Sequence, residues 1–183
     1  MDWYAFAQEV HQNAVEHGFW EGKRPIEETF ALIHSEWSEA LEEYRADRPM
    51  VWYDEERGHK PEGIAVELVD GCIRILDFLA KEETEAGEYA EIDNATKIIF
   101  GSLKDEDEIS SPALICMLHK CTEKSFEARI IMDENYRLSK EKLFDAISLV
   151  NIYLYQNGIC MASLMREKHE YNKTRPYKHG KKC

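Results

Sequence analysis

The chain has 183 residues, of which 44% are hydrophobic and 32% are charged, and this balance excludes a largely disordered protein. Its formal net charge of −13 argues against nucleic-acid binding, because an acidic surface repels a phosphate backbone. No run of about eighteen apolar residues occurs, so neither a membrane-spanning helix nor a membrane partner is expected. The N-terminal segment lacks the basic residues of a signal peptide and no C-x-x-C pair is present, which predicts a cytoplasmic protein with free thiols.

Apolar residues recur with helical spacing through most of the chain, which predicts an all-α helical bundle. In residues 25–47 the apolar positions follow one another at intervals of three or four and form a single stripe. Further helices are predicted at residues 2–17, 62–83, 112–135, 140–156 and 159–171. Residues 48–61 contain two prolines and a glycine and are predicted to form a loop. Residues 84–109 are acidic with weak helical character at 90–100, and the tail after Asn172 is predicted to be irregular.

Two pairs of acidic residues lie beside the apolar stripes of consecutive predicted helices. Glu36 and Glu39 lie on the second helix, and Glu67 and Asp70 lie on the third. Residues three apart on a helix share a face, so each pair directs two carboxylates the same way. If the two helices pack as an antiparallel hairpin, four carboxylates converge near the interior of the bundle.

Such a cluster of like charges is unfavourable in a protein interior unless a cation compensates it. Oxygen ligands alone suit Mg²⁺ or Mn²⁺, and Mg²⁺ commonly recruits the phosphate groups of a substrate. The pattern therefore predicts a magnesium site completed by a phosphorylated ligand, with solvated acidic helix faces as the alternative. A di-iron site is disfavoured because the predicted helices lack its Glu-x-x-His motif. Arg74 shares this face and either orients a metal-binding carboxylate or forms an intrahelical pair with Asp70.

The segments ALIHSEWSEALEEYR and KPEGIAVELVDGCIRILDFL resemble the all-α nucleoside triphosphate pyrophosphohydrolases of the MazG-like superfamily, which includes the dimeric dUTPases and the phosphoribosyl-ATP pyrophosphohydrolases. The pattern of that superfamily is E-x-x-E followed, after a gap, by E-x-x-D. The four acidic residues match it, with 27 residues between Glu39 and Glu67. The segments HQNAVEHGFW and KHEYNKTRPYKHGKK are also similar, so the resemblance covers residues 5–80 and 164–182.

The resemblance implies Mg²⁺-dependent hydrolysis of a (d)NTP between its α and β phosphates, giving (d)NMP and pyrophosphate in nucleotide-pool housekeeping. It implies that Glu36, Glu39, Glu67 and Asp70 bind the metal. Either Glu36 or Glu39 then orients or deprotonates the attacking water. The alternatives are a dUTPase-like enzyme specific for dUTP or dUDP, a non-catalytic nucleotide-binding module, and a structural bundle without a ligand.

The basic C-terminal segment is the candidate for contact with the phosphates. Residues 166–183 hold seven basic and two acidic residues, whereas residues 1–165 hold 16 basic and 34 acidic ones. Lys168, Asn172 and Arg175 match a K-x-x-x-N-x-x-R pattern that resembles the phosphate- and sugar-contacting segment of dimeric dUTPases. Arginine suits bidentate contact with phosphate and lysine acts as a point charge. Lys181 is a further candidate.

Base recognition is assigned to three residues on or just after the first predicted helix, Asn13, His17 and Trp20. An amide reads the edge of a base, and an aromatic ring stacks on its face. For Trp20 the alternative is packing at the junction between the helix and the following turn.

The second half of the chain repeats the helical pattern of the first. LIHSEWSEALEE aligns with MLHKCTEKSFEA, and ELVDGCIRIL aligns with SLVNIYLYQN. None of the four acids has an acidic counterpart in this alignment, and Lys124 takes the place of Glu39. We therefore expect one domain with a catalytic half (1–83), a degenerate half (110–165) and a basic tail (166–183), with a pseudo-duplicated four-helix core and one metal site. The formation of a homodimer is left open.

Overall fold

The computed structural model describes residues 1–86 and 113–180. Six α-helices make up most of these residues, and a short two-stranded sheet lies between the second and the third helix. The helices are α1 (Trp3–Glu16), α2 (Ile26–Arg45), α3 (Ile64–Ala86), α4 (Leu114–Ile131), α5 (Tyr136–Gln156) and α6 (Met161–Lys173). The predicted all-α bundle is confirmed. None of the helices described is long and apolar enough to cross a membrane.

The helix boundaries follow capping and turn residues that the sequence carries. Asp2 caps α1 by accepting a hydrogen bond from the backbone nitrogen of Ala5 at 3.0 Å. Gly18 follows the end of α1 with a φ of 78°, a conformation that glycine adopts without strain. Pro25 is the N-cap of α2. The weak helix predicted at 90–100 lies outside the described residues, as does Lys181.

The segment predicted to be a loop contains a small antiparallel hairpin. Strand β1 (Trp52–Asp54) pairs with strand β2 (Lys60–Glu62), so that Tyr53 lies opposite Pro61. The loop prediction is wrong for these residues, because a proline that lacks an N–H donor is tolerated in an edge strand and both strands of a two-stranded sheet are edges. The tail is irregular after α6 apart from a 3-10 turn at Tyr177–Gly180.

Helices α2 and α3 pack as an antiparallel hairpin, as the metal-site prediction requires. The rings of Phe30 and Phe78 lie 5.7 Å apart, and further along α2 the ring of Trp37 packs over Gly71. A Cβ atom at position 71 would lie 2.4 Å from the indole, so only glycine lets the two helices approach this closely. The register brings the acidic motifs of the two helices to the same level.

Helices α4 and α5 form a second antiparallel hairpin that packs against the first. Ser139 of α5 donates a hydrogen bond to the carbonyl oxygen of Ala128 in α4 at 2.8 Å. Trp37 joins the two hairpins by donating to Ser125 Oγ at 3.3 Å. Lys124, the counterpart of Glu39, pairs with Glu127 at 3.4 Å. The arrangement suits a pseudo-duplicated core, while the duplication itself stays a prediction.

Helices α1 and α6 pack against α3 and complete the wall around the acidic motifs. His11 of α1 lies 2.7 Å from Asp77 of α3, and Lys168 of α6 lies 2.9 Å from Asp70 of α3. The four cysteines among the described residues are free thiols.

Candidate metal centre and adjoining cavity

Three of the four predicted carboxylates meet between α2 and α3. One oxygen each of Glu36, Glu67 and Asp70 lies within 4.8 Å of the other two. Glu36 and Glu67 are only 4% and 5% exposed, whereas Asp70 is partly open to solvent. Glu39 is exposed at the edge of this cluster and lies outside the group of three, although its charge acts on Glu36 and Glu67.

Burial and like charge oppose ionisation of these carboxyls. Burial raises the pKa of Glu67 to about 9, and the negative charge of Asp70 acts in the same direction against the positive charge of Lys168. Burial also raises the pKa of Glu36, against the opposing charge of Arg74. Glu36 and Glu67 therefore hold a proton more tightly than an exposed glutamate does, and a divalent cation would relieve the repulsion between the ionised groups.

Two basic side chains compensate part of the negative charge. Arg74 Nε donates to Glu36 Oε1 at 2.5 Å, so it crosses to α2 and orients a predicted metal ligand instead of pairing along α3 with Asp70. Lys168 is 1% exposed, and its ammonium lies 2.9 Å from Asp70 Oδ2 and 3.3 Å from the carbonyl oxygen of Pro61. The structure thus places Lys168, predicted to contact phosphate, inside the acidic cluster.

A cavity of about 80 Å³ adjoins the cluster at Asp70. It lies among α1, α3 and α6 and brings together Asn13, predicted to contact a base, and Asn172 and Arg175, predicted to contact sugar and phosphate. The other lining residues are Val10, Ala14, Phe19, Arg24, Ile73, Arg74, Asp77, His169 and His179. Residues assigned to different parts of a nucleotide therefore share one space with a predicted metal ligand.

His17 and Trp20 do not line this cavity but hold neighbouring segments in place. His17 Nδ1 lies 2.8 Å from the carbonyl oxygen of Asn13, and Nε2 lies 2.9 Å from that of Arg175, which ties the tail to α1. Trp20 Nε1 donates to Asp77 Oδ1 at 2.9 Å. For Trp20 this geometry favours the packing interpretation.

Asp77 lines the cavity but is not among the site residues predicted from the sequence. Its carboxylate lines the cavity and receives hydrogen bonds from α1 and from the α1–α2 loop. Burial raises the pKa of Asp77, and the contact with His11 opposes this. The sequence does indicate this residue, because Asp77 is a lone aspartate within the apolar run ILDFL. It lies seven residues after Asp70 and therefore on the same face of α3. His169 was also missed, and its signal was its place one turn before Asn172.

The chain matches no family model, no curated protein and no solved structure. Membership of the MazG-like superfamily therefore stays a prediction carried by the acidic motifs and the tail motif. The functional interpretation rests on the geometry of the carboxylate cluster and its cavity.

Proposed function

We propose that the protein is an Mg²⁺-dependent nucleoside triphosphate pyrophosphohydrolase that converts a (d)NTP to (d)NMP and pyrophosphate, with Mn²⁺ as a substitute metal. The observation that carries the proposal is that Asp70 belongs both to the carboxylate cluster and to the wall of the cavity. A nucleotide whose sugar enters the cavity would then have its phosphates beside the metal ligands.

The donor set fits a hard divalent cation. Glu36, Glu67 and Asp70 offer carboxylate oxygens within 4.8 Å of one another, and burial together with the neighbouring negative charges raises the pKa of the first two. Oxygen ligands of this kind favour Mg²⁺ or Mn²⁺ over softer metals. When bound, Mg²⁺ neutralises phosphate charge and lowers the pKa of coordinated water.

Glu39 is our candidate for the base that accepts the proton of the attacking water. Its carboxylate is exposed and makes no hydrogen bond or ion pair with the other described residues, whereas Glu36 is buried and held by Arg74. The water oxygen forms a bond to the α-phosphorus, and the bond from that phosphorus to the bridging oxygen breaks. Pyrophosphate leaves with the bridging oxygen, and Glu39 takes the proton.

Arg175 is our candidate for contact with the triphosphate. Its half-buried guanidinium lines the cavity and pairs with no acidic side chain among the described residues. The contact between its carbonyl oxygen and His17 fixes the backbone at this point. A guanidinium free of intramolecular partners donates two parallel hydrogen bonds to a phosphate. Asn13 lies in the same cavity and is our candidate for the edge of the base.

The test is product analysis with each common NTP and dNTP and with dUTP, in Mg²⁺ and in EDTA. We expect monophosphate and pyrophosphate in Mg²⁺ only, with a loss of roughly 10²- to 10⁴-fold in kcat for Glu39→Gln. Glu42→Gln is the matched control, because Glu42 is an exposed acid on the same helix that pairs with Arg45.

Three other results would redirect the proposal. Diphosphate and phosphate as products would show cleavage between the β and γ phosphates and would contradict the proposed cleavage between α and β. A strong preference for dUTP or dUDP would favour the dUTPase-like alternative. Nucleotide binding without turnover would favour a non-catalytic module.

A further inference from the structure

Two buried polar atoms on one face of α6 lack a hydrogen-bond partner among the described residues. They are Nε2 of His169 and Oδ1 of Asn172, and the two side chains are 1% and 9% exposed. Both residues line the cavity beside Asp70. Buried polar atoms are normally paired, so two orphans three residues apart in one cavity indicate a ligand group that pairs with both.

The imidazole of His169 is buried against an aromatic ring and lies near two carboxylates. Its ring packs edge-on against Phe6 with the centroids 5.4 Å apart. One of its nitrogens lies within 4.8 Å of carboxylate oxygens of Glu9 and Glu170, which are themselves paired with Arg166 and Lys173. A neutral imidazole offers one donor and one acceptor, whereas the amide oxygen of an asparagine only accepts.

A hydroxyl group has the chemistry that satisfies both atoms. It donates one hydrogen bond, which Asn172 Oδ1 accepts, and it accepts others, one of which His169 donates in the tautomer protonated at Nε2. A lone carbonyl oxygen would leave the asparagine oxygen unpaired, because a carbonyl has no proton to donate. A base edge that offers both a donor and an acceptor is distinguished from a hydroxyl by its position in the nucleotide.

The position of the cavity indicates which hydroxyl this is. Asp70 of the carboxylate cluster lines the same cavity as His169 and Asn172. In a nucleotide whose phosphates lie at that cluster, the nearest hydroxyl-bearing group is the sugar, since it is esterified to the α-phosphate.

We propose, on the basis of the proposed function, that His169 is a specificity-determining residue that reads the 3′-hydroxyl of the substrate sugar together with Asn172. A 2′-deoxy sugar and a ribose both carry this hydroxyl, and a 2′,3′-dideoxy sugar does not. The site therefore selects nucleotides with a free 3′-hydroxyl and rejects 3′-deoxy analogues of the same base.

The experiment compares kcat/KM for a dNTP and the matching 2′,3′-dideoxy NTP. For the wild-type chain we expect at least about a tenfold preference for the dNTP, because the dideoxy sugar leaves both buried atoms unpaired. In His169→Phe the preference falls toward one, and His169→Gln, which keeps a donor, restores part of it. His34→Phe is the control, because Nε2 of His34 is also buried and unpartnered among the described residues but lies outside the cavity.

A second measurement keeps the inference independent of catalysis. Calorimetric titration with Mg²⁺ compares deoxynucleoside monophosphates with their dideoxy counterparts, and circular dichroism checks that each variant is folded. Equal kcat/KM for both sugars in the wild type overturns the inference and leaves the proposed function standing. Without turnover, tighter binding of the deoxy form still supports the sugar contact, and equal or undetectable binding of both forms overturns it.

Discussion

Replacing Glu67 by glutamine is expected to stabilise the protein when no divalent metal is present. Glutamine has the shape of a protonated glutamate and carries no charge. Glu67 is 5% exposed, and burial raises its pKa to about 9 from an ordinary value of 4.5. Because the folded state holds this proton more tightly than the unfolded state, the contribution of Glu67 to stability is present below pH 4.5 and is lost as the pH rises toward 9.

The magnitude follows from the two pKa values. At pH 7, roughly 2.5 units above the unfolded value, this linkage removes about 3 kcal/mol from the free energy of unfolding of the wild-type chain. The glutamine variant does not titrate and keeps that free energy. The same substitution removes a proposed metal ligand, so only the wild type should gain stability from Mg²⁺, by about 2.7 kcal/mol at a metal concentration of 100 Kd.

The assay is urea unfolding of both chains at neutral pH, in EDTA and in Mg²⁺. We expect Glu67→Gln to be the more stable chain in EDTA and to lose that advantage in Mg²⁺. Glu42→Gln, which changes a side chain that is 66% exposed, should leave both measurements unchanged. A glutamine variant less stable than the wild type in EDTA would refute the reasoning about buried like charges. Equal stabilisation of both chains by Mg²⁺ would show that Glu67 does not bind the metal.

Three further substitutions test residues around the carboxylate cluster and its cavity. Burial lowers the pKa of His169 to about 4 from 6.5, so the unfolded state takes up the proton at a higher pH than the folded state does. The free energy of unfolding should therefore fall by about 3 kcal/mol as the pH drops from 6.5 to 4, and this fall should be absent in His169→Phe. Gly71→Ala should lower the free energy of unfolding by about 1–3 kcal/mol in urea, since its Cβ would meet Trp37. Arg175→Lys keeps the charge but not the bidentate contact, so kcat/KM should fall about tenfold without loss of stability; an unchanged kcat/KM would contradict the phosphate role.

The acidic cluster could be predicted from sequence because the information is local. Glu36 follows Ile33 at helical spacing, and Glu67 precedes Asp70 by one turn, so each motif fixes the direction of its own side chains relative to a buried stripe. Antiparallel packing of two consecutive helices then brings the motifs together. The partner of Arg74 could not be predicted in this way, because it depends on which residue of α2 lies opposite Arg74 in the folded chain.

Residues that depend on packing between distant segments could not be placed in the same way. The tail pattern marked Lys168 as a phosphate contact, and nothing local to α6 indicated that it faces Asp70. The aromatic ring of Trp20 suggested stacking, but its indole nitrogen is engaged by Asp77 from α3. Spacing indicates the face on which a residue lies, and only the crossing of helices decides what that face meets.

The charges around the cluster give a reason for burying a lysine of the basic tail. The four carboxylates of the acidic motifs face two cations, Arg74 and Lys168, which leaves two negative charges when every acid is ionised. One divalent cation balances these two negative charges. On our proposal a second divalent cation therefore binds only together with the negatively charged triphosphate. Lys168 also makes the cluster depend on α6, the helix that leads into Arg175. Loss of that helix would therefore uncover Asp70 and remove the phosphate contact together, which couples the metal ligands to substrate binding although the segments lie far apart in the sequence.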